Sequence, residues 1–156
     1  IAEVLGKEHT YIKVPANPQG IKAIKTLSKE GYWMNATAIY TVIQGFLAAQ
    51  AGAKALAPYV SRIDNLNGDG LQVTKDLQDV LRANGLDTRI VAASFKTTKQ
   101  VVELAQYSVY GAAINVAVWE GFMKNEVVTA AVQNFNHDFA TLCGEGKTFL
   151  DLSIPE

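Results

Sequence analysis

Cysteine is nearly absent from this chain, since Cys143 is the only one among its 156 residues. A single cysteine excludes an internal disulfide and is typical of a reducing compartment, so we expect a cytoplasmic protein. Long apolar runs are missing as well, because no stretch approaches the roughly 20 consecutive apolar residues of a membrane helix. The sequence therefore predicts no membrane association.

An excess of charge of one sign is also missing. The formal net charge is −1, and no basic run or basic aromatic patch occurs, so nucleic-acid binding is not predicted. No group of His, Cys, Asp and Glu has the spacing of a metal site, and no Gly-x-Gly-x-x-Gly motif follows a predicted strand. We therefore predict no metal ion and no organic cofactor.

Apolar residues are plentiful, at 49% of the chain, which is enough for one domain with a sizeable core. Short apolar runs predict strands at residues 11–15, 32–39, 54–60, 88–93 and 112–118. Helical periodicity predicts helices at residues 18–30, 41–51, 71–83, 99–109, 119–124 and 127–142. Residues 61–70 have the composition of a loop, and an extended tail is expected after Gly144. Apolar strands that alternate with helices indicate a parallel sheet in an α/β protein.

One lysine interrupts the apolar run Tyr11-Ile12-Lys13-Val14-Pro15, which we interpret as a buried strand. Burial disfavours the charged ammonium, and a neutral amine attacks a carbonyl carbon to form a Schiff base. The alternative is that Lys13 lies on an edge strand and extends its amine into solvent. The residues alone favour neither interpretation.

Three further polar side chains fall late in a predicted strand or just after it, as Lys13 does: Thr37, Tyr59 and Ser94. Active sites of parallel α/β proteins lie at this edge of the sheet. A buried phenol such as that of Tyr59 is able to pass a proton to or from a substrate. In the simpler interpretation, Thr37 and Tyr59 only pack within the sheet.

Basic side chains follow two of these strands. Arg62 offers a bidentate fork to an oxyanion, and Ser94 with Lys96 precedes a helix whose first N–H groups attract phosphate. The simpler interpretation of Arg62 is a solvated ion pair with Asp64. Because both basic groups belong to the same predicted rim, the sequence favours an anionic ligand.

Five strands cannot close an eight-stranded barrel. The chain therefore forms either an open sheet or the later part of a barrel whose first three strands precede Ile1. Residues 1–6 have the pattern of a helix end closed by glycine, and no initiator methionine is present. We therefore expect this chain to be a piece of a longer protein.

Six stretches, in this order and spacing, carry a resemblance to a known family: Tyr11-Ile12-Lys13-Val14-Pro15, Gly20-Ile21-Lys22-Ala23-Ile24-Lys25, Asn35-Ala36-Thr37-Ala38-Ile39-Tyr40, Gln44-Gly45-Phe46-Leu47-Ala48-Ala49, Ala57-Pro58-Tyr59-Val60-Ser61-Arg62-Ile63-Asp64 and Ala92-Ala93-Ser94-Phe95-Lys96-Thr97. Together they resemble the small transaldolase and fructose-6-phosphate aldolase family. The resemblance runs from Tyr11 to about Cys143.

The resemblance implies a (β/α)8 barrel, of which this chain supplies roughly strands 4 to 8. Residues 1–156 would then be the C-terminal part of one barrel domain, with residues 127–156 as a C-terminal helix and tail. The family's first three strands contribute an aspartate, an asparagine and a Gln or Glu to the pocket, and that segment is not in this sequence. Family members form rings, so a homo-oligomer, a pentamer or a decamer, is expected.

The resemblance also implies a role for each candidate residue. Lys13 would be the Schiff-base lysine, Thr37 would lie near its bound water, and Tyr59 would transfer protons. The positions implied for substrate binding are Asn35, Ala57, Arg62, Ser94 and Lys96. The last three of these would hold the substrate phosphate.

The activity this implies is cleavage of fructose 6-phosphate to dihydroxyacetone and glyceraldehyde 3-phosphate, without a cofactor. The alternative is a transaldolase of the pentose phosphate pathway. The tyrosine at Tyr59 resembles the aldolase branch of the family, whereas the asparagine at Asn35 resembles the transaldolase branch. A deoxyribose-phosphate aldolase is a weaker possibility, since it needs a second lysine on a strand. The remaining alternative is a protein module that binds an anionic metabolite without catalysing a reaction.

Overall fold

Five parallel strands form the centre of the computed structural model, which describes residues 2–152. The strands are β1 (Tyr11–Pro15), β2 (Trp33–Ile39), β3 (Ala55–Pro58), β4 (Arg89–Ala93) and β5 (Gly111–Ala113). Each strand pairs with its neighbour in the sequence, so that the order across the sheet is β1-β2-β3-β4-β5. The sheet belongs to the first of two compact units, which ends at Gly121.

Helices precede, connect and follow the strands of this sheet. They are α1 (Ala2–Leu5), α2 (Pro18–Lys29), α3 (Val42–Gln50), α4 (Val60–Asp64), α5 (Gly70–Ala83), α6 (Thr98–Gln106) and α7 (Val116–Met123). Side-chain oxygens cap the first turns of α2, α3, α5 and α6 by accepting hydrogen bonds from their backbone N–H groups. These caps determine how soon each helix begins after its strand.

The two faces of the sheet differ. Connections between parallel strands are almost always right-handed, and with strands in sequential order this rule places the connecting helices on one face. Residues of that face form one buried cluster with residues of the helices: Met34, Ala36, Leu56, Ile90 and Ala92 pack with Ile24, Leu77 and Leu104. We call the opposite side the helix-free face, because the helices that connect the strands do not lie on it.

The predicted parallel α/β architecture is confirmed, and it matches part of a (β/α)8 barrel. The predicted burial of the first strand is wrong for the described residues. Exposure alternates along β1, and Lys13 is exposed. The reason is that β1 pairs only with β2, so one edge of it has no strand partner within residues 2–152.

Three local predictions also need correction. Residues 61–70 are not all loop, because α4 occupies Val60–Asp64. The fifth strand ends at Ala113, and α7 begins at Val116, where the Asn115 side chain accepts a hydrogen bond from the backbone N–H of Val118 at 2.9 Å. The tail is not fully extended, since Phe149–Asp151 form a 3₁₀ turn.

The second unit begins at Phe122 and contains helix α8 (Glu126–Cys143), which Asn125 caps. The Phe139 ring lies 4.8 Å from the Phe149 ring, so the 3₁₀ turn packs on α8. The predicted end of the tail, residues 153–156, and the first residue of the predicted N-terminal helix, Ile1, lie outside the described residues. In the part that is described, residues 2–152, no helix is long and apolar enough to span a membrane.

Gly20 provides a test of how tightly α2 packs on the end of β1. A Cβ atom at Gly20 would lie 1.8 Å from the carbonyl oxygen of Pro15, so Gly20→Ala forces the turn after Lys13 to shift. We expect this change to lower the free energy of unfolding by about 1–3 kcal/mol, measured by urea denaturation of the intact protein.

Gly111→Ala is the matched control, because its added Cβ would meet Val91 at an ordinary 3.9 Å. We expect Gly111→Ala to change the unfolding free energy by less than about 0.5 kcal/mol. Equal losses for the two variants would contradict the described packing of α2.

Candidate active site

Lys13 has two of the predicted site residues beside it on the neighbouring strand. In the register of β1 and β2, Lys13 is the partner of Asn35, and Pro15 is the partner of Thr37. Adjacent strands lie about 4.8 Å apart, and alternate residues share a face, so Lys13, Asn35 and Thr37 line one stretch of the helix-free face. No hydrogen bond joins the Lys13 amine to another residue within 2–152.

Asn35 is the polar side chain at the centre of this face. Its Oδ1 atom is buried and has no hydrogen-bond partner among the described residues. Asn35 also borders a groove of about 270 Å³, whose other lining residues are Tyr11, Ala55, Arg89, Val91 and Tyr110. Ala57 lies two residues beyond Ala55, so strand alternation places it on the same face, where it is buried. The unpaired amide oxygen can accept a hydrogen bond from a ligand hydroxyl, whereas the groove lies toward the amino ends of the strands, where Tyr11 and Arg89 begin β1 and β4.

Tyr59 directly follows β3, and its side chain reaches Thr37 on β2. The Thr37 hydroxyl donates a hydrogen bond to the Tyr59 hydroxyl oxygen at 3.0 Å. This contact fixes the position of the phenol oxygen beside Thr37. The Tyr59 ring is also held by Tyr40, whose ring meets it edge-on at 5.9 Å. The structure thus joins two of the three predicted catalytic residues directly.

Arg62 lies on α4 and stacks on the same tyrosine. Its guanidinium carbon is 4.5 Å from the centre of the Tyr59 ring, in a cation–π arrangement. The solvated ion pair with Asp64 is not formed: the Asp64 carboxylate instead accepts hydrogen bonds from Gly70 N at 2.8 Å and from Gln100 Nε2 at 2.9 Å. Arg62 therefore has no carboxylate partner within residues 2–152, and its charge is available to an anion.

Ser94 directly follows β4 in an unusual backbone conformation. Its φ is +64°, in the left-handed region where a residue other than glycine costs about 1–2 kcal/mol. Its carbonyl oxygen accepts a hydrogen bond from Ser61 N at 2.8 Å, whereas its hydroxyl has no partner within residues 2–152. A strained residue with a free hydroxyl at a strand end indicates a functional position.

Lys96 lies on the same turn but makes a different contact. Its amine donates to Asn65 Oδ1 at 3.1 Å, which links the turn before α6 to the residue after α4. Lys96 is exposed, so its ammonium lies at the rim. The structure thus places Arg62, Ser94 and Lys96 on two adjacent turns, while no direct contact joins these three side chains.

Two glutamines of these turns were missed in the sequence. Gln44 and Gln100 each complete a capping box, with Thr41 and Thr97 as the respective N-cap residues. The signal was present, because Thr-x-x-Gln after a predicted strand is the sequence pattern of this cap.

The resolved pKa shifts fall outside this group of residues. A hydrogen bond from the Tyr107 hydroxyl to Asp79 raises the pKa of Tyr107, which lies at the far end of α6. Hydrogen bonds from Thr148 lower the pKa of Asp151 in the second unit. Among residues 2–152, no three His, Cys, Asp or Glu side chains are arranged to hold a metal ion.

Comparisons with known proteins agree with one another. A family model described as Transaldolase/Fructose-6-phosphate aldolase matches residues 1–142. A probable fructose-6-phosphate aldolase of Streptococcus pneumoniae (strain ATCC 700669 / Spain 23F-1) is 42% identical over 129 residues, which are 83% of this chain and 58% of that protein. A probable transaldolase of Kosmotoga olearia (strain ATCC BAA-1733 / DSM 21960 / TBF 19.5.1) is 35% identical over 132 residues, or 85% of this chain and 61% of that protein.

This chain thus spans about three fifths of the length of these two relatives. Among solved structures, the inosine 5′-monophosphate dehydrogenase of Legionella pneumophila superposes with a TM-score of 0.51 at 19% identity, covering 67% of this chain and 35% of that one. At that identity the likeness concerns the fold alone.

The strain at Ser94 predicts an unusual response to substitution. Ser94→Gly removes the left-handed penalty but adds freedom to the unfolded chain, which costs about 0.4–1 kcal/mol. We therefore expect Ser94→Gly to be at least as stable as the unchanged protein in urea denaturation. Ser94→Val, with a branched Cβ, should lose about 1–2 kcal/mol. A clear loss of stability in Ser94→Gly would show that the hydroxyl serves the fold.

Proposed function

The chain belongs to the transaldolase/fructose-6-phosphate aldolase family, and we propose that it is the C-terminal part of a barrel enzyme that cleaves a ketose phosphate through a Schiff base on Lys13. One observation carries the proposal: Lys13 lies in register with Asn35 and beside Thr37, whose hydroxyl is bonded to that of Tyr59. An amine, an amide and two hydroxyl groups are thus gathered on one side of the sheet.

The open edge of β1 supports closure by further strands. Barrels of this kind commonly take 200 residues or more, and their strands surround an interior filled with side chains. We propose that further strands pair with β1 and β5 and enclose the helix-free face, so that the Lys13 amine is shielded from water. In this arrangement residues 1–156 are the later part of the barrel domain, and residues 127–156 are its C-terminal helix and tail.

The reaction begins when the Lys13 amine adds to the C2 ketone of fructose 6-phosphate. Loss of water gives an iminium ion, and Thr37 holds the water that enters and leaves. The iminium nitrogen then accepts the electron pair of the C3–C4 bond, the C4 hydroxyl passes its proton to the water beside Thr37, and glyceraldehyde 3-phosphate departs. Proton transfer by Tyr59 to C3 of the remaining enamine, followed by hydrolysis, releases dihydroxyacetone.

The phosphate of the substrate is held at the rim. The Arg62 guanidinium lacks a carboxylate partner and Ser94 lacks a partner for its hydroxyl within residues 2–152, so both can bind an oxyanion. Lys96 adds a charge at the edge of the site, and Asn35 offers its unpaired oxygen to a sugar hydroxyl. Ala57 leaves room for the sugar chain.

A second candidate activity is transaldolase, in which another aldose phosphate captures the enamine before it is protonated. Asn35 favours this candidate, because its unpaired oxygen can hold the bound three-carbon unit in place. Tyr59 favours the aldolase, because a phenol placed beside Thr37 can supply the proton that quenches the enamine. We prefer the aldolase on the contact between Tyr59 and Thr37.

Assembly and location are part of the same proposal. Apolar side chains of α8 are strongly exposed, with Phe135 at 68% and Leu142 at 84%. Burial of such side chains against another copy of the chain is favourable, which supports a homo-oligomer, a pentamer or a decamer. A sugar-phosphate substrate supports a cytoplasmic enzyme.

The Schiff base is tested by trapping. When the intact protein is incubated with fructose 6-phosphate and reduced with borohydride, hydride adds to the iminium carbon and leaves a stable secondary amine. We expect peptide mass mapping to find this adduct on Lys13, with Lys13→Arg abolishing both adduct and activity. Lys22→Arg on α2 is the control and should retain both. An unmodified Lys13 peptide would instead support a module that only binds an anionic metabolite.

The role of Tyr59 separates the two activities. We expect the unchanged protein to release free dihydroxyacetone faster than it transfers this unit to erythrose 4-phosphate. Tyr59→Phe removes the proton donor, so it should slow release by about 10²-fold or more, while borohydride still labels Lys13. Dominant transfer by the unchanged protein would establish the transaldolase, and full dihydroxyacetone release by Tyr59→Phe would remove Tyr59 from the mechanism.

A further inference from the structure

Two strand-to-helix turns of the sheet share one plan. Ala38 and Ser94 each have a positive φ, of 52° and 64°, and each lies three residues before an N-cap threonine. In both turns the backbone N–H groups of the N-cap residue and of the residue before it donate to the side-chain oxygen of a glutamine, Gln44 or Gln100. The four distances are 3.0 and 3.1 Å in the first turn and 3.0 and 3.2 Å in the second.

The two glutamines differ in what they contact outside their own turns. Gln44 Nε2 makes one long bond, of 3.4 Å, to the carbonyl oxygen of Ala16. Gln100 makes two bonds to side chains of α4: its Oε1 accepts from the Ser61 hydroxyl at 3.2 Å, and its Nε2 donates to Asp64 Oδ2 at 2.9 Å. The additional bonds of Gln100 therefore connect the turn that carries Ser94 to helix α4, which carries Arg62.

Helix α4 depends on outside contacts for its position. It has five residues, and no side chain caps its N-terminus. Ser61 and Asp64 flank Arg62, and Ser61 is 2% exposed. Besides the two bonds to Gln100, the backbone N–H of Ser61 donates to the Ser94 carbonyl oxygen at 2.8 Å. Three hydrogen bonds thus hold the helix that carries Arg62 against the turn that carries Ser94.

We infer that Gln100 is a positioning residue, which sets the distance between the Arg62 guanidinium and the Ser94 hydroxyl and thereby gives the enzyme its preference for phosphorylated substrates. This inference rests on the proposed function, in which those two groups hold the substrate phosphate. Gln100 itself does not touch the phosphate. It acts through Asp64 and Ser61, because a shift of α4 moves Arg62 away from the anion.

Substitution by glutamate separates the two roles of Gln100. A carboxylate completes a capping box as well as an amide does, so Gln100→Glu keeps the start of α6 intact. It cannot donate to Asp64, however, and it brings a second negative charge against that carboxylate. The expected result is a KM for glyceraldehyde 3-phosphate about tenfold higher in the synthetic direction, with the KM for unphosphorylated glyceraldehyde little changed.

Gln44→Glu is the matched control, since it makes the same change at a glutamine that forms no hydrogen bond to α4. We expect its ratio of the two KM values to stay within about twofold of that of the unchanged protein. The double variant Gln100→Glu/Asp64→Asn restores a hydrogen bond between the two positions with its direction reversed. It should bring the KM for the phosphorylated substrate back to within about threefold of its original value.

Inorganic phosphate provides a readout that does not need turnover. In calorimetric titration of the intact protein, its affinity should fall about tenfold in Gln100→Glu and recover in the double variant. If Lys13 forms no adduct with borohydride, the proposed function fails, and the phosphate titration still tests the role of Gln100. Gln100→Ala removes every hydrogen bond of the Gln100 side chain, so it should lower the affinity for phosphate at least as far. This variant replaces Gln100→Glu in the titration if the glutamate variant does not fold.

The inference is overturned if Gln100→Glu leaves both the phosphate affinity and the KM ratio unchanged. Equal increases of both KM values, or equal effects of Gln44→Glu and Gln100→Glu on their ratio, would show a general structural role and would equally overturn it. Failure of the double variant to recover would remove the contact with Asp64 as the cause.

Discussion

The register between β1 and β2 is the constraint on which the candidate site depends. Side chains of a strand alternate between its two faces, so a slip of one residue would turn Lys13 toward the helices and bring Ile12 and Val14 to the other side. The apolar residues prevent this slip, because Ile12 and Val14 pack with the core cluster that contains Met34 and Ala36. The position of the proposed nucleophile is thus a consequence of apolar packing on the opposite face.

Connection topology extends this constraint to the whole sheet. Since neighbouring strands are also neighbours in sequence, the helices collect on one face, and every strand presents its carboxyl end at the same edge. The side chains that follow those ends, Tyr59 and Ser94, are therefore brought to the edge where Thr37 lies. The turns after β2 and β4, which follow Thr37 and carry Ser94, are stiffened by the left-handed residues Ala38 and Ser94 and by capping boxes. Such stiffness suits groups that must keep their distance during a reaction.

Much of this arrangement was predictable from the residues. Apolar runs that alternate with amphipathic segments predicted the parallel sheet, and the place of Lys13, Thr37, Tyr59 and Ser94 late in or just after such runs predicted their common edge. The contacts between them were not predictable. The bond from Thr37 to Tyr59 depends on the pairing of β2 with β3, and the sequence carries no direct sign of that geometry.

The errors have physical causes as well. The apolar run after Ala112 fits a buried strand or a helix equally well by periodicity, and the capping side chain of Asn115 decides for the helix. Arg62 and Asp64 were weighed as an ion pair, yet on a helix residues two apart do not face each other, so Asp64 binds Gln100 instead. Lys13 is exposed because nothing covers its face of β1 within the described residues of the first unit, and further strands paired with the free edge of β1 would enclose that face.

The central claim is that the amine on the helix-free face and the anion-binding groups at the carboxyl ends of the strands act on one substrate. It is tested most directly by a crystal structure of the intact protein in which borohydride has trapped dihydroxyacetone and glyceraldehyde 3-phosphate is bound. The account predicts continuous density from the Lys13 amine into an enclosed pocket, with the phosphate within hydrogen-bond distance of Arg62 and Ser94. A Lys13 amine that points into bulk solvent, with the phosphate bound elsewhere, would contradict it.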